Sequence, residues 1–295
     1  MGASVDELGF IDGLREFAAS DAARGLADDA AVLQVGTETL VLTHDMLVEG
    51  VHTLPGADPA DVAWKLVAAN MSDLAAKGAE PLGVLLGYML GPGDERFLEG
   101  LHEVLAHFGV PLLGGDTTGG GPPRTWGLTA VGRATHTPVP SRKGAKPGDG
   151  LYVTGPLGAA MLGFEALRDG TGEDSTAYRR PMARLPQGQA LAPLVSAMMD
   201  ISDGLLLDSW RMAEASEATF AIHSVAVPIA TPQVRQADAM RWGEDFELLF
   251  TASPGPAPLP VKAWRIGAVQ PRGNSPLLLD GAALDGPKGL GYVHA

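Results

Sequence analysis

The sequence predicts a mixed α/β (α+β) chain folded as two domains. Short apolar runs of strand length alternate with longer stretches of helical period along the whole chain. An apolar run that ends in an acid and is followed by a helical stretch occurs in each half, at Asp45 and again at Asp200. Between the halves, residues 135–150 are rich in Pro, Gly and basic residues, the composition of a connector. The expected division is an N-terminal α/β domain over 1–136, a linker over 137–150 and a C-terminal α/β domain over 151–295.

Taken in order, residues 5–19 read as a short amphipathic helix carrying Leu8, Ile11, Leu14 and Phe17 on one face. Asp28-Asp29 then leads into an apolar strand. Residues 38–45 form a strand that delivers Asp45 at its C-terminal end, where open α/β sheets place ligands. Asp58 caps the next helix, Pro59 occupies its first position, and Asp61 stands where a capping box takes an acid. That helix runs over 59–77 with a stripe of Val62, Leu66 and Ala69 that ends in Asp73, an acid where a core residue is due. Gly78 stops it. A strand over 82–90 follows, then a helix over 94–108 with Phe97, Leu98, Leu101, Val104, Leu105 and Phe108 on one face and Gly109 as its stop. The glycine-rich stretch from Gly114 to Gly121 reads as a loop whose backbone N–H groups can approach phosphate oxygens, or as a plain surface loop. A strand over 125–134 closes the first half. The second half reads as strand 151–154, helices 157–168 and 187–198, the acid-bearing run Met198 to Leu205, strands 219–223, 246–251 and 263–268, and a Pro-rich loop at 253–260.

Composition narrows the function classes. The 295 residues are 45% hydrophobic and 19% charged, which supports a packed core and argues against disorder. The net charge of −14 disfavours nucleic acid and anionic membranes as partners. It leaves ATP open, because a divalent cation mediates between acids and phosphates. The absence of cysteine excludes thiol catalysis, thiolate metal sites and disulfides. No apolar run approaches a membrane span, and the acidic N-terminus lacks the basic, then apolar, pattern of a signal peptide. A cytoplasmic location is the expectation.

The candidate chemistry lies in acids at element ends: Asp28, Asp29, Asp45, Asp73, Asp116, Asp200 and Asp203. Carboxylates drawn from separate elements build the hard oxygen site that Mg2+ takes around phosphates. Each acid alone also reads as a cap or turn residue, and Asp73 also reads as an i, i+4 partner of Lys77. Neither the P-loop pattern nor the dinucleotide fingerprint is present, so a nucleotide binds in another way if it binds. Arg142 and Lys143 in the linker read as solvated cations or as groups facing a triphosphate. His102 and His107, five apart on one helix, are assigned to the surface.

The run of motifs Asp28-Asp29-Ala30-Ala31-Val32, Asp45 through His52, Asn70 through Ala79, Gly114-Gly115-Asp116-Thr117-Thr118, Asp200 through Leu205 and Gly243 through Phe250 closely resembles the thiamine-monophosphate kinase family. That family lies within the aminoimidazole ribonucleotide synthetase-like ATP-binding superfamily, and the resemblance spans nearly the whole chain. It implies the two-domain fold of that superfamily and a homodimer whose N-terminal sheets meet to close a barrel. It also implies ATP-dependent phosphorylation of thiamine monophosphate to thiamine diphosphate with Mg2+. On matching positions it implies metal ligands at Asp29, Thr43, His44, Asp45, Asp73, Asp116, Asp200 and Asp203, with Asp45, Asp73 and Asp203 central to catalysis. It implies ATP contacts from Gly115, Asp116, Arg142 and Ser202, and substrate contacts from His52, Glu244 and Tyr292. The alternatives are another ATP-dependent enzyme of the superfamily or a non-catalytic paralogue that binds nucleotide or thiamine phosphate. Departures from the family pattern fall at Ala27, His44, Gly119, Arg241-Trp242-Gly243 and Val293. If 43–45 is extended, Thr43 and Asp45 share one face and the His44 side chain points to the other, leaving its backbone carbonyl for a metal.

Overall fold

The computed structural model describes residues 7–255 and 258–293. The expected helix at 5–19 is observed as α1 (Glu7–Arg15), with Phe17 beyond it exposed; residues 5 and 6 lie outside the described residues. The first sheet draws on β1 (Ala31–Val35), β2 (Glu38–Val48), β3 (Ala79–Leu90), β4 (Leu112–Gly119) and β5 (Thr125–Ala134), with α2 (Pro59–Ala76) and α3 (Asp94–Phe108) between them. Its strand order is β1-β2-β5-β3-β4, antiparallel except for the parallel β3–β4 pair. The remaining elements are β6 (Gly150–Val153), α4 (Ala159–Asp169), α5 (Thr176–Arg179), α6 (Leu185–Leu191), β7 (Ala197–Asp200), α7 (Leu205–Ala215), β8 (Ala218–Ile222), α8 (Gln236–Ala239), β9 (Leu248–Ala252), β10 (Trp264–Pro271), β11 (Leu277–Leu279) and β12 (Ala282–Ala283). The second sheet runs β12-β11-β8-β10-β6-β9-β7 and is parallel only at β8–β11. Both sheets are thus mixed and mostly antiparallel, the α+β form of the expected class.

Helix α2 sits between the two sheets. Asp58 caps it, accepting from Ala60 N–H at 3.0 Å, with Pro59 at the first position. Asp61 does not complete a capping box; it turns to Arg179 (2.7 Å) and Arg180 (2.6 Å) beside α5 and ties the halves together. One core joins α2 to Val41, Leu128 and Ala130 of the first sheet and to Met198, Leu248 and Phe250 of the second. A second core lies on the opposite face of the second sheet, where Leu205, Leu206 and Met212 of α7 meet Met199, Leu249 and Ile266. Because α2 is enclosed, nearly all of it is buried. Beyond Pro59, only Ala69 and Asp73, one turn apart, remain half-buried, and Ala69 lines a cavity.

Four sequence expectations are corrected. Asp45 is not at a strand end: β2 runs on through Val48, with Leu47 buried and Met46 exposed in continued alternation. The helix read over 187–198 is the shorter α6, and Ala197–Asp200 is instead strand β7, paired antiparallel with β9. The glycine-rich stretch from Gly114 is largely edge strand β4 rather than loop. Leu98, expected on the apolar face of α3, is exposed, while Phe97, Leu101 and Val104 are buried.

Candidate active site

Four elements bring carboxylates to one place. Asp29 ends the turn before β1, Asp45 lies on β2, Asp73 on α2 and Asp200 closes β7. One oxygen from each of Asp29, Asp73 and Asp200 lies within 4.8 Å of the others. Strand alternation accounts for two placements. Val41, Thr43 and Leu47 face α2 from β2, which puts Asp45 on the same face. Met198 faces the α2 core while Met199 faces the other, so Asp200 returns to the α2 side, where Ser72 Oγ donates to it at 2.6 Å.

The cluster is half-buried, with Asp200 fully buried, and short of cations. Burial pushes Asp45 up to about 6; its hydrogen bond with Asp73 opposes this, while the Asp29 and Asp203 charges add to it. Burial, with Asp45, Asp200 and Asp29 behind it, holds Asp73 well above the usual carboxylate range. Burial and then Asp29 push Asp200 up to about 8, against the Ser72 bond. Thr43 Oγ1 donates to Asp73. Among the described residues, only Asp29 of these four acids has close cations: Lys77 Nζ at 2.7 Å and the Arg142 guanidinium, whose Nε donates at 2.7 Å. An all-oxygen set of crowded carboxylates fits a hard divalent cation such as Mg2+.

His44 lies outside this set. It is exposed on the opposite face of β2, and its Nδ1 is 2.9 Å from Thr129 Oγ1 of the neighbouring strand. Its imidazole therefore does not enter the acid cluster, as alternation predicts. Asp116 and Gly115 sit on exposed β4 at the edge of the sheet, and Asp116 is not among the three grouped acids. Lys77 is not the partner of Asp73; it is fully buried and pairs with Asp28 and Asp29.

Beside the cluster lies a cavity of about 790 Å³ lined by Asp45, Ser202, Asp203, His52, Glu244 and Tyr292. His52 Nδ1 accepts from Val48 N–H at 3.0 Å. The loop after β7 is fixed from inside: buried Asp208 accepts from Ser202 N–H (3.1 Å) and Asp203 N–H (3.0 Å), and Arg211 joins Asp203 to Asp208. Burial, then the Asp203 charge, pushes Asp208 up to about 7 against Arg211 and Arg142. Two further segments dock on this loop. Glu244 N–H donates to Ser202 O at 2.8 Å, and Tyr292 N–H donates to Asp203 O at 2.9 Å. Gly243 is required there, because a Cβ would collide with the Ser202 carbonyl. Glu244 adopts φ 65°, an uncommon left-handed backbone for a side-chain-bearing residue.

Segment 27–134 matches the model of the AIR synthase related protein N-terminal domain, and 146–277 matches that of its C-terminal domain. The chain is 39% identical over 254 residues to the thiamine-monophosphate kinase of Escherichia coli strain K12, covering 78% of this chain and 77% of that one. This chain belongs to the thiamine-monophosphate kinase family. Its fold is that of the solved structure "AaThiL complexed with AMPPCP and TMP", with a TM-score of 0.87 at 27% identity over 99% of this chain and 97% of that one. The thiamine-monophosphate kinase of Stenotrophomonas maltophilia K279a aligns with a TM-score of 0.76 at 31% identity, covering 93% and 96%.

Several residues of the cavity were not singled out in the sequence as thiamine-monophosphate kinase positions. Lys65 is buried on α2 and pairs with Glu244 at 2.6 Å, donates to His52 O at 2.8 Å and lies 3.9 Å from the Tyr178 ring centre. Burial lowers its pKa, and Glu244 opposes that. Its signal was present: Lys65 interrupts an apolar run at i−4 from Ala69 and i−8 from Asp73, on the stripe that opens to the cavity. Phe164, Tyr178 and Trp242 complete the wall and come from regions far apart in sequence.

Proposed function

We propose that the chain transfers the γ-phosphoryl group of ATP to thiamine monophosphate, giving thiamine diphosphate and ADP. The observation that carries this reading is the acid cluster joined through Asp45, which bonds to Asp73 and itself lines the cavity of His52, Glu244 and Tyr292, in a chain of this family. An oxygen of the acceptor phosphate forms a bond to the γ-phosphorus, and the bond from that phosphorus to the ADP oxygen breaks in line. The acceptor phosphate is already largely ionised at neutral pH, so no protein base is required. Asp29, Asp45, Asp73 and Asp200 would hold Mg2+, with Thr43, Asp116 and Asp203 as further ligands on the family pattern. When bound, Mg2+ supplies the positive charge that lets two anions approach. Gly115, Asp116, Arg142 and Ser202 contact ATP. Arg142 carries a fixed positive charge beside Asp29 and suits a phosphate oxygen. His52, Glu244 and Tyr292 contact the acceptor. We take 1–136 and 151–295 as the two domains and the cytoplasm as the place of work; no helix among the described residues is long and apolar enough to cross a membrane.

Purified protein given ATP, Mg2+ and thiamine monophosphate is expected to form thiamine diphosphate and ADP in equal amounts. Unphosphorylated thiamine is expected to give no product, since the acceptor is a phosphate oxygen. Turnover of thiamine with none of the monophosphate overturns the reading. ADP formation only with some other acceptor makes the chain a different enzyme of the superfamily, and nucleotide binding without turnover makes it a non-catalytic paralogue.

The working form is a homodimer. The face of the first sheet away from α2 leaves Met46 and Leu85 exposed, and Leu112 and Leu113 stand exposed on edge strand β4. Such a sheet face and edge need a cover, and a second copy supplies it. Light scattering at micromolar concentration is expected to give twice the mass of one chain, and Leu85→Glu is expected to shift the protein toward monomer. A wild-type monomer counts against the dimer.

A further inference from the structure

The acceptor cavity is lined by five Phe, Tyr or Trp rings, of which the family-like motifs hold only Phe246 and Tyr292. Phe164 of α4 packs on Trp242 with ring centres 5.0 Å apart and planes at 42°, and it meets Tyr178 edge-on at 5.4 Å. The backbone beside Trp242 is fixed on both sides. Its N–H donates to Asp238 O at 2.9 Å, and the next residue, Gly243, lies against the Ser202 carbonyl.

The rings differ in what already occupies their faces. Lys65 Nζ lies over Tyr178 at 3.9 Å, and the Arg168 guanidinium lies over Phe164 at 5.6 Å. Among the described residues no protein cation lies over half-buried Trp242. The nearby carboxylate of Glu244 is already engaged by Lys65 at 2.6 Å. The cavity therefore offers an incoming cation an indole that no protein cation covers among the described residues, and a carboxylate already paired with Lys65.

Helix α2 sets the scale. Asp73 marks the acid end, Ala69 the middle and Lys65 the far end. Those eight residues span about 12 Å at 1.5 Å each. An acceptor with its phosphate at the acids has its rings at the level of Ala69 and Lys65, beside Glu244 and Trp242. We propose that Trp242 is a specificity-determining residue that binds the cationic thiazolium ring of the acceptor, with Phe164 and Tyr178 holding the indole in place. This rests on thiamine monophosphate being the acceptor. A cation on an indole face is attracted by the ring quadrupole, more strongly where water is excluded. Trp242 stands where the family pattern has small residues, so the contact is a property of this chain.

The test is steady-state kinetics of wild type, Trp242→Ala, Trp242→Leu and Trp242→Phe. The acceptors are thiamine monophosphate and its neutral thiophene isostere. Trp242→Ala and Trp242→Leu are expected to raise KM for thiamine monophosphate about tenfold. They leave kcat and the KM for ATP within about threefold, and Trp242→Phe recovers most of the loss. For the neutral isostere, wild type and Trp242→Leu are expected to differ by less than about threefold. Thiamine monophosphate is expected to quench the protein's fluorescence, with a smaller amplitude in Trp242→Phe. An unchanged KM for thiamine monophosphate in a folded Trp242→Leu protein overturns the proposal, as does an equal loss with the neutral isostere. Wild type that makes no thiamine diphosphate overturns the acceptor reading instead, and this inference with it.

Discussion

Asp73→Asn and Asp45→Asn are each expected to cut the turnover of thiamine monophosphate by about 10²-fold or more, judged from the loss of one preorganised electrostatic contact in other enzymes. Neither is expected to weaken the fold. Asparagine keeps the shape of the side chain and an oxygen to accept the Thr43 hydroxyl at position 73. It removes an acid whose charged form is opposed by burial and by the Asp45, Asp200 and Asp29 charges. Without metal, the variants should therefore unfold at the same denaturant concentration as wild type or a higher one. Activity falls while stability holds or rises, and that opposite movement separates a site residue from a packing residue. Rates at saturating ATP, Mg2+ and acceptor, read beside unfolding without metal, decide it. Unchanged turnover in either variant assigns that aspartate to structure.

How much of this was legible in the sequence depends on how local each signal is. The start of α2 at Asp58-Pro59, its end at Gly78 and the end of α3 at Gly109 are set by short-range chemistry, and all are where the residues indicate. Gly78 is held to that role by position as well, since a Cβ there would collide with Ala192. The opposed faces of Thr43 and His44 follow from strand alternation alone. Strand β7 did not declare itself, because Ala197-Met198-Met199 has good helix formers and only pairing with β9 makes it a strand. Pro193, just past the observed end of α6, was the available warning. Strand β4 was hidden by its glycines, and its parallel pairing with β3 overrides their weak strand preference. At the site, motif order brought out the acids. The groups that position them did not come out, because Lys65, Asp208 and Arg211 matter only through contacts that chain order does not reveal.

Lys77 shows the same limit and carries the second large expectation. In sequence it reads as a helix-end cation that can pair with Asp73 one turn back. In the fold it is fully buried, bonded to Asp28 and 2.7 Å from Asp29, residues nearly fifty positions earlier. Burial works to lower its pKa, but the Asp29 and Asp28 charges win and raise it. Asp28 answers in kind. Burial alone would push it up, yet Lys77 and Arg24 hold it at about 2. Each charge is tolerable only because the other is present. Lys77→Met keeps the length of the side chain and removes the ammonium, leaving two buried carboxylates with Arg24 and Arg142 as their remaining cations. Breaking such a buried pair from one side is expected to cost about 3–5 kcal/mol. Removing the partner charge as well, in Lys77→Met with Asp28→Asn, is expected to recover part of that loss. Urea unfolding of wild type, the two single variants and the double variant measures both effects. A Lys77→Met protein as stable as wild type would show that the arginines alone balance the acids. A double variant no more stable than Lys77→Met would place the cost in lost packing rather than in an unpaired charge.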